Sequence, residues 1–152
     1  MEEKLMTKEF EEYVRETLQL KKTAGAGMYS PLVLAYIGDA VYELIIRTRI
    51  VNEGNCPVNQ MHRKSSSLVK AAAQAELIHL IMEDLTPEEQ AVYKRGRNAK
   101  SATAAKNATI QDYRTATGFE ALVGYLYLNG EKERLIELVG LALEKKGELK
   151  RK

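Results

Sequence analysis

The 152-residue sequence predicts an all-α fold. Three observations carry that expectation. Two stretches, Leu32–Ile46 and Phe119–Leu128, are apolar nearly throughout, broken only by Gly38, Asp39 and Glu43 in the first and by Glu120 and Gly124 in the second. Helix-start signals stand at the head of several segments, with Ser30-Pro31 and Thr86-Pro87-Glu88-Glu89 the strongest. No run alternates apolar and polar residues as a half-buried strand would. The expectation is one domain over residues 1–152 with roughly seven helices.

Taken in order, Thr7 to Lys22 reads as an amphipathic helix with Phe10, Tyr13, Val14, Leu18 and Leu20 as its stripe. Thr23–Gly27 reads as a flexible joint, so residues 1–29 form a helix and a connection. The central helix starts at Ser30 and runs to about Ile50; apolar on nearly all sides, it reads as a core helix. Asn52–Pro57 is a loop. Asn59 is placed to cap one helix or a pair over Gln60–Glu83, basic early (His62, Arg63, Lys64, Lys70) and apolar later, with His79 in the core. Thr86 opens a helix that fades near Gly96. Lys94–Thr109 holds five basic residues and no acid, and reads as a loop. Gly118–Leu128 is a second apolar helix ended by Asn129-Gly130. Glu131–Lys145 is a final amphipathic helix, and residues 146–152 read as a frayed tail.

Composition excludes several classes. One cysteine, Cys56, allows no disulfide within the chain and suits a reducing cytoplasm. The mixed-charge start Met1-Glu2-Glu3-Lys4 lacks an apolar signal core, and no stretch is long enough to span a membrane. There is no zinc-ligand spacing, and Ser65-Ser66-Ser67 has no visible His/Asp partnership for a nucleophile.

The chemistry points to Asp39 and Glu120, one acid on each apolar helix, each near a glycine (Gly38, Gly124) that permits close helix approach. A single acid on a buried helix more often pairs with an arginine or caps a neighbour. Two of them, if their helices cross, form an oxygen-only site suited to Mg²⁺, which supports phosphodiester hydrolysis. Glu43 reads as the partner of Arg47 one turn on. The basic runs His62-Arg63-Lys64 and Lys94–Lys100, with Arg95, Arg97, Asn98 and Lys100, and Lys106 beyond, can track phosphates, though either run alone reads as solvated surface. With no aromatic residue between Lys94 and Lys106, an RNA duplex fits better than stacked single strands.

Leu34–Glu43 resembles the ribonuclease III signature, in which Gly-Asp sits in an apolar helix, and Phe119–Leu128 resembles its second acidic motif. Lys94–Lys100 is similar to the basic motif of the Mini-ribonuclease III branch, whose members lack the double-stranded-RNA-binding domain. The three motifs in order span Ser30 to Leu128. The resemblance implies a helical homodimer that cleaves double-stranded RNA with Mg²⁺. Asp39 then takes the catalytic Asp position, Glu120 the metal-binding Glu, and Tyr36 the aromatic residue that plugs into the partner subunit. It implies as substrate the large-subunit (23S) ribosomal RNA precursor, with a ribosomal protein as a plausible helper. Two family carboxylates are absent, Ala35 and Thr117 standing in their places. That leaves the number of ions open, and leaves as the alternative a non-catalytic RNA-binding or ribosome-assembly protein on the same scaffold.

Overall fold

The computed structural model describes residues 9–22, 25–100 and 109–150. Among them are seven α-helices and no strand: α1 Phe10–Thr17, α2 Pro31–Asn52, α3 Val58–Val69, α4 Ala71–Ile81, α5 Pro87–Asn98, α6 Ile110–Leu128 and α7 Lys132–Lys146. The all-helical expectation holds.

Local chemistry sets the boundaries. Ser30 caps α2 by accepting from the Val33 N–H (3.4 Å), with Pro31 in the first position. Thr86 and Glu89 form a reciprocal capping box on α5, each side chain bonding the other's backbone N–H (3.1 and 2.9 Å). α3 and α4 are separate helices because Lys70 is extended (φ −64°, ψ 156°). α3 opens at Val58, so Asn59 lies inside it rather than capping it. Gly130, at φ 75°, closes α6, and Glu131 N–H reaches back to Leu126 O (2.9 Å).

α6 starts at Ile110, eight residues ahead of the expected Gly118, its first turn capped by Thr109, and three further elements depart from expectation. α1 ends at Thr17, five residues early, because Gln19 turns left-handed (φ 53°) and Leu20 N–H bonds back to Arg15 O (2.9 Å). Its stripe is not buried; Phe10, Tyr13, Leu18 and Leu20 are all exposed, and Lys132 ties the segment down through Glu9 (2.9 Å) and Glu11 (2.6 Å). The joint is not loose throughout, since Ala26 is buried in a 3-10 turn, Ala26–Met28. The C-terminal stretch is held further than a frayed tail would be. Lys146 ends α7 paired with Glu76 (2.7 Å), Lys145 reaches Asp84 (2.7 Å), and Arg49 donates to the Glu148 carbonyl.

The core lies where α6 is wrapped by α2, α4 and α5. Tyr42, Ile46, Leu77, Ile78, Val92, Leu122 and Leu126 are fully enclosed. Tyr42 meets Phe119 edge-on, centroids 5.1 Å apart, and donates its hydroxyl to Leu68 O (2.7 Å), which satisfies its one polar atom. α2 and α6 approach so closely that a Cβ on Gly38 would sit 1.8 Å from the Glu120 carbonyl, and one on Gly124 1.9 Å from the Leu34 carbonyl. Only hydrogen fits at either position. α2 is covered on one side only, however. Leu32, Val33, Tyr36, Leu44 and Val51 are exposed, so the expectation of a helix enclosed all round is corrected. Among the described residues no helix is long and apolar enough to cross a membrane.

Candidate active site

The α2–α6 crossing builds the site. Gly38 lies against the Glu120 backbone, so the next residue of α2, Asp39, emerges beside the Glu120 side chain, within hydrogen-bonding reach of its carboxyl group. Two acids 81 positions apart thus meet because two glycines let their helices touch. Asp39 is exposed on the uncovered edge of α2 and Glu120 is half-buried, so the pair forms a partly buried site. Burial, then the facing Asp39, push the Glu120 carboxyl up to about 8, opposed by a hydrogen bond from Gln74. Two carboxylates so placed repel unless a proton or a cation lies between them.

Gln74 is the site residue that sequence reading missed. It lies on α4, is 2% exposed, and donates from Nε2 to Glu120 Oε2 (3.3 Å) and Val69 O (2.7 Å). Its Oε1 is buried, and no described group donates to it. A signal was available: Gln74, Leu77, Ile78 and Ile81 fall at i, i+3, i+4 and i+7, so the helical phase puts this amide on the apolar face.

The positions that lack carboxylates are accounted for. Ala35 is buried in the α2–α6 contact, and the Thr117 hydroxyl donates to its own helix at Tyr113 O (2.9 Å). Among the described residues no group of three or more His, Cys, Asp or Glu side chains converges. The donor set is two carboxylates, all oxygen. That fits a hard divalent ion that keeps most of its water, and Mg²⁺ is the common ion of that kind. Glu43 pairs with Arg47 (2.7 Å), as expected, and stays out of the site.

The basic candidates separate. Arg95 and Arg97 belong to the last turn of α5, which runs two residues past the expected end. Arg97 lies over the Tyr93 ring (5.6 Å) and donates to Asn98 Oδ1 (3.3 Å), so it is partly pre-positioned. Lys100 is exposed, and Lys106 lies outside the described residues. Arg97 and Asn98 share an open cleft with His79 and Arg114, which corrects the core reading of His79: it is exposed. His62 and Arg63 are also exposed; His62 lines a different cleft, with Ile50, Val51, Val58 and Met61. Lys64 pairs with Glu53 (3.4 Å). Tyr36 is 82% exposed.

A helical bundle in which two crossing helices bring two carboxylates together has the plan of a metal-dependent nuclease. The Ribonuclease III domain family matches residues 32–131, and the chain belongs to the ribonuclease III family as an endoribonuclease of that type. Within it, the resemblance to the Mini-ribonuclease III branch holds. Mini-ribonuclease 3 of Clostridium tetani is 58% identical over 116 residues, 75% of this chain and 76% of that protein. Mini-ribonuclease 3 of a Thermoanaerobacter species is 51% identical over 85% of this chain and 91% of its own length. A crystal structure of a Fusobacterium nucleatum protein superposes with a TM-score of 0.71 at 29% identity, covering 77% of this chain and 95% of that one.

Proposed function

We propose that this chain is a Mg²⁺-dependent endoribonuclease that cuts double-stranded RNA, acting as a cytoplasmic homodimer on the precursor of large-subunit ribosomal RNA. The observation that carries this reading is the Asp39–Glu120 pair, brought together by the glycine contact, with no basic group among the described residues bonded to the Glu120 carboxylate. Asp39 and Glu120 hold the ion. When bound, it polarises a phosphate oxygen and lowers the pKa of water for attack on the phosphodiester. Asp39, exposed at the edge of α2, is the acid the RNA backbone can reach; Glu120, half-buried, anchors from below. Arg95, Arg97, Lys100, His62 and Arg63 follow the duplex phosphates. A large-subunit ribosomal protein would present the RNA.

Purified protein incubated with a long RNA duplex in Mg²⁺ should yield cut products, and none in EDTA. Asp39→Asn should lower cleavage at least about a hundredfold while duplex binding in Ca²⁺ changes little. Wild-type protein that binds duplex RNA but never cuts it, with any divalent ion, would replace this reading with that of a non-catalytic RNA-binding protein.

A further inference from the structure

We propose that Gln74 is a positioning residue that fixes the Glu120 carboxylate for the divalent ion. The inference rests on the ion-binding role assigned above to Asp39 and Glu120. Val69 O can only accept from the Gln74 amide, so the NH₂ end faces it, and the second hydrogen of that end reaches Glu120 Oε2, which accepts it when ionised to hold a cation. Sealing the α3–α4 junction at Val69 needs one of those hydrogens. The second goes to Glu120.

Three features favour a role beyond packing. The amide is buried, yet its Oε1 has no donor among the described residues, a cost that a methionine or leucine of similar size would avoid. The donor is neutral. A lysine or arginine there would also hold Glu120 but would cancel the charge that draws a cation, whereas an amide orients the carboxylate and leaves its charge in place. On α6 the Thr117 hydroxyl, three residues before Glu120, is already engaged with Tyr113 O. With Oε2 held from α4, the Glu120 carboxylate cannot swing away from Asp39 without breaking a hydrogen bond to a buried group.

The test uses the full chain and Gln74→Met, which keeps the shape but donates nothing; Gln74→Asn, which draws the amide back, serves if the Met variant does not fold. Mn²⁺ binding to the RNA-free protein is read by electron paramagnetic resonance, and the Mg²⁺ dependence of cleavage is read in parallel. Loss of an outer hydrogen-bond partner should raise the Mn²⁺ Kd about tenfold or more and shift the half-saturating Mg²⁺ upward by a similar factor. The KM for duplex RNA at saturating Mg²⁺ should stay within about twofold. In a Glu120→Gln background the same substitution should change Mn²⁺ affinity by less than about twofold, since the route runs through Glu120. A lowered Tm with unchanged Mn²⁺ affinity and Mg²⁺ requirement would reduce Gln74 to a seal on the helix junction and overturn the proposal. Wild-type protein that binds no Mn²⁺ and cuts nothing would instead overturn the function on which it rests.

Discussion

Glu120 costs the fold stability whenever it is ionised without a cation. Its carboxyl is raised from the ordinary 4.5 to about 8, first by burial and then by Asp39. The sign follows: the folded state holds the proton more tightly than the unfolded chain does. Glu120 therefore contributes stability below pH 4.5, and that contribution is lost as pH rises toward about 8. In metal-free urea unfolding, Glu120→Gln should match wild type near pH 4.5 and exceed it by about 1–3 kcal/mol near pH 8.5. Saturating Mg²⁺ should erase or reverse the gap, because the ion binds only the folded wild-type pair tightly. A flat difference across that range would mean that the two acids do not strain each other. At this scale the sequence was legible where a residue was out of place in its own helix, as Asp39 and Glu120 are among apolar neighbours. Gln74 was harder to see. Next to Ala71, Ala72 and Ala73 it passes for an ordinary solvent-facing helix residue, and only its phase with Leu77, Ile78 and Ile81 marks it as buried. His79 shows the reverse: its apolar neighbours suggested the core, while its own angle on α4 points it outward.

Elements are positioned by two kinds of contact, backbone approach and side-chain ties, and each can be tested. Gly38→Ala would drive a Cβ into the Glu120 carbonyl, so α2 and α6 must part. A loss of about 3 kcal/mol or more is expected, with cleavage abolished even where the chain still folds. Gly140→Ala is the control: it lies inside α7 with open space around it, and should add about 0.5–1 kcal/mol in the same unfolding assay. The tie from α5 to α7 is Arg134, which grips both oxygens of the buried Glu89 (2.9 and 2.9 Å) and also donates to Asp84 O (2.8 Å). The Arg134 hydrogen bonds hold the Glu89 carboxyl below its ordinary value, so the pair stabilises at neutral pH and fails as acid protonates Glu89. Arg134→Met should cost about 2 kcal/mol at pH 7, the arginine being partly exposed, and the deficit should shrink toward low pH. Caps made helix starts readable, at Ser30 and at Thr86, because their hydrogen bonds are local. The first two turns of α6, Ile110–Thr117, gave no such reading. Rich in threonine and polar residues, they are helical because Thr115, Ala116 and Thr117 are buried by their neighbours. The early stop of α1 rests on a left-handed glutamine that no propensity favours.

At the scale of the molecule, α2 is unfinished. Tyr36, Ala40 and Leu44 stand in one exposed row four residues apart, with Leu32 one turn before and Val51 two turns after. Large exposed apolar residues in a row on a core helix mark a surface that another molecule covers. In the proposed homodimer that molecule is a second copy, with Tyr36 as its anchor. Asp39 and Glu120 come from the same chain, so the carboxylate pair is complete in a monomer. Dimerisation would instead set two such pairs at the spacing a duplex requires, one for each strand. Tyr36→Ser removes a ring that is 82% exposed and bonded to nothing described in its own chain, so the monomer fold should keep its Tm within a few degrees. If the ring is an interface anchor, its loss should weaken self-association by about 2 kcal/mol or more, roughly thirtyfold in the dimer Kd. Sedimentation velocity at micromolar concentration should then show wild type at twice the chain mass and the variant shifting toward 17.1 kDa. Mn²⁺ affinity should persist while double-strand cleavage falls with the dimer fraction. A variant that stays dimeric, or a wild type that is monomeric while fully active on duplex RNA, would remove Tyr36 and the second copy from the account of how this surface is used.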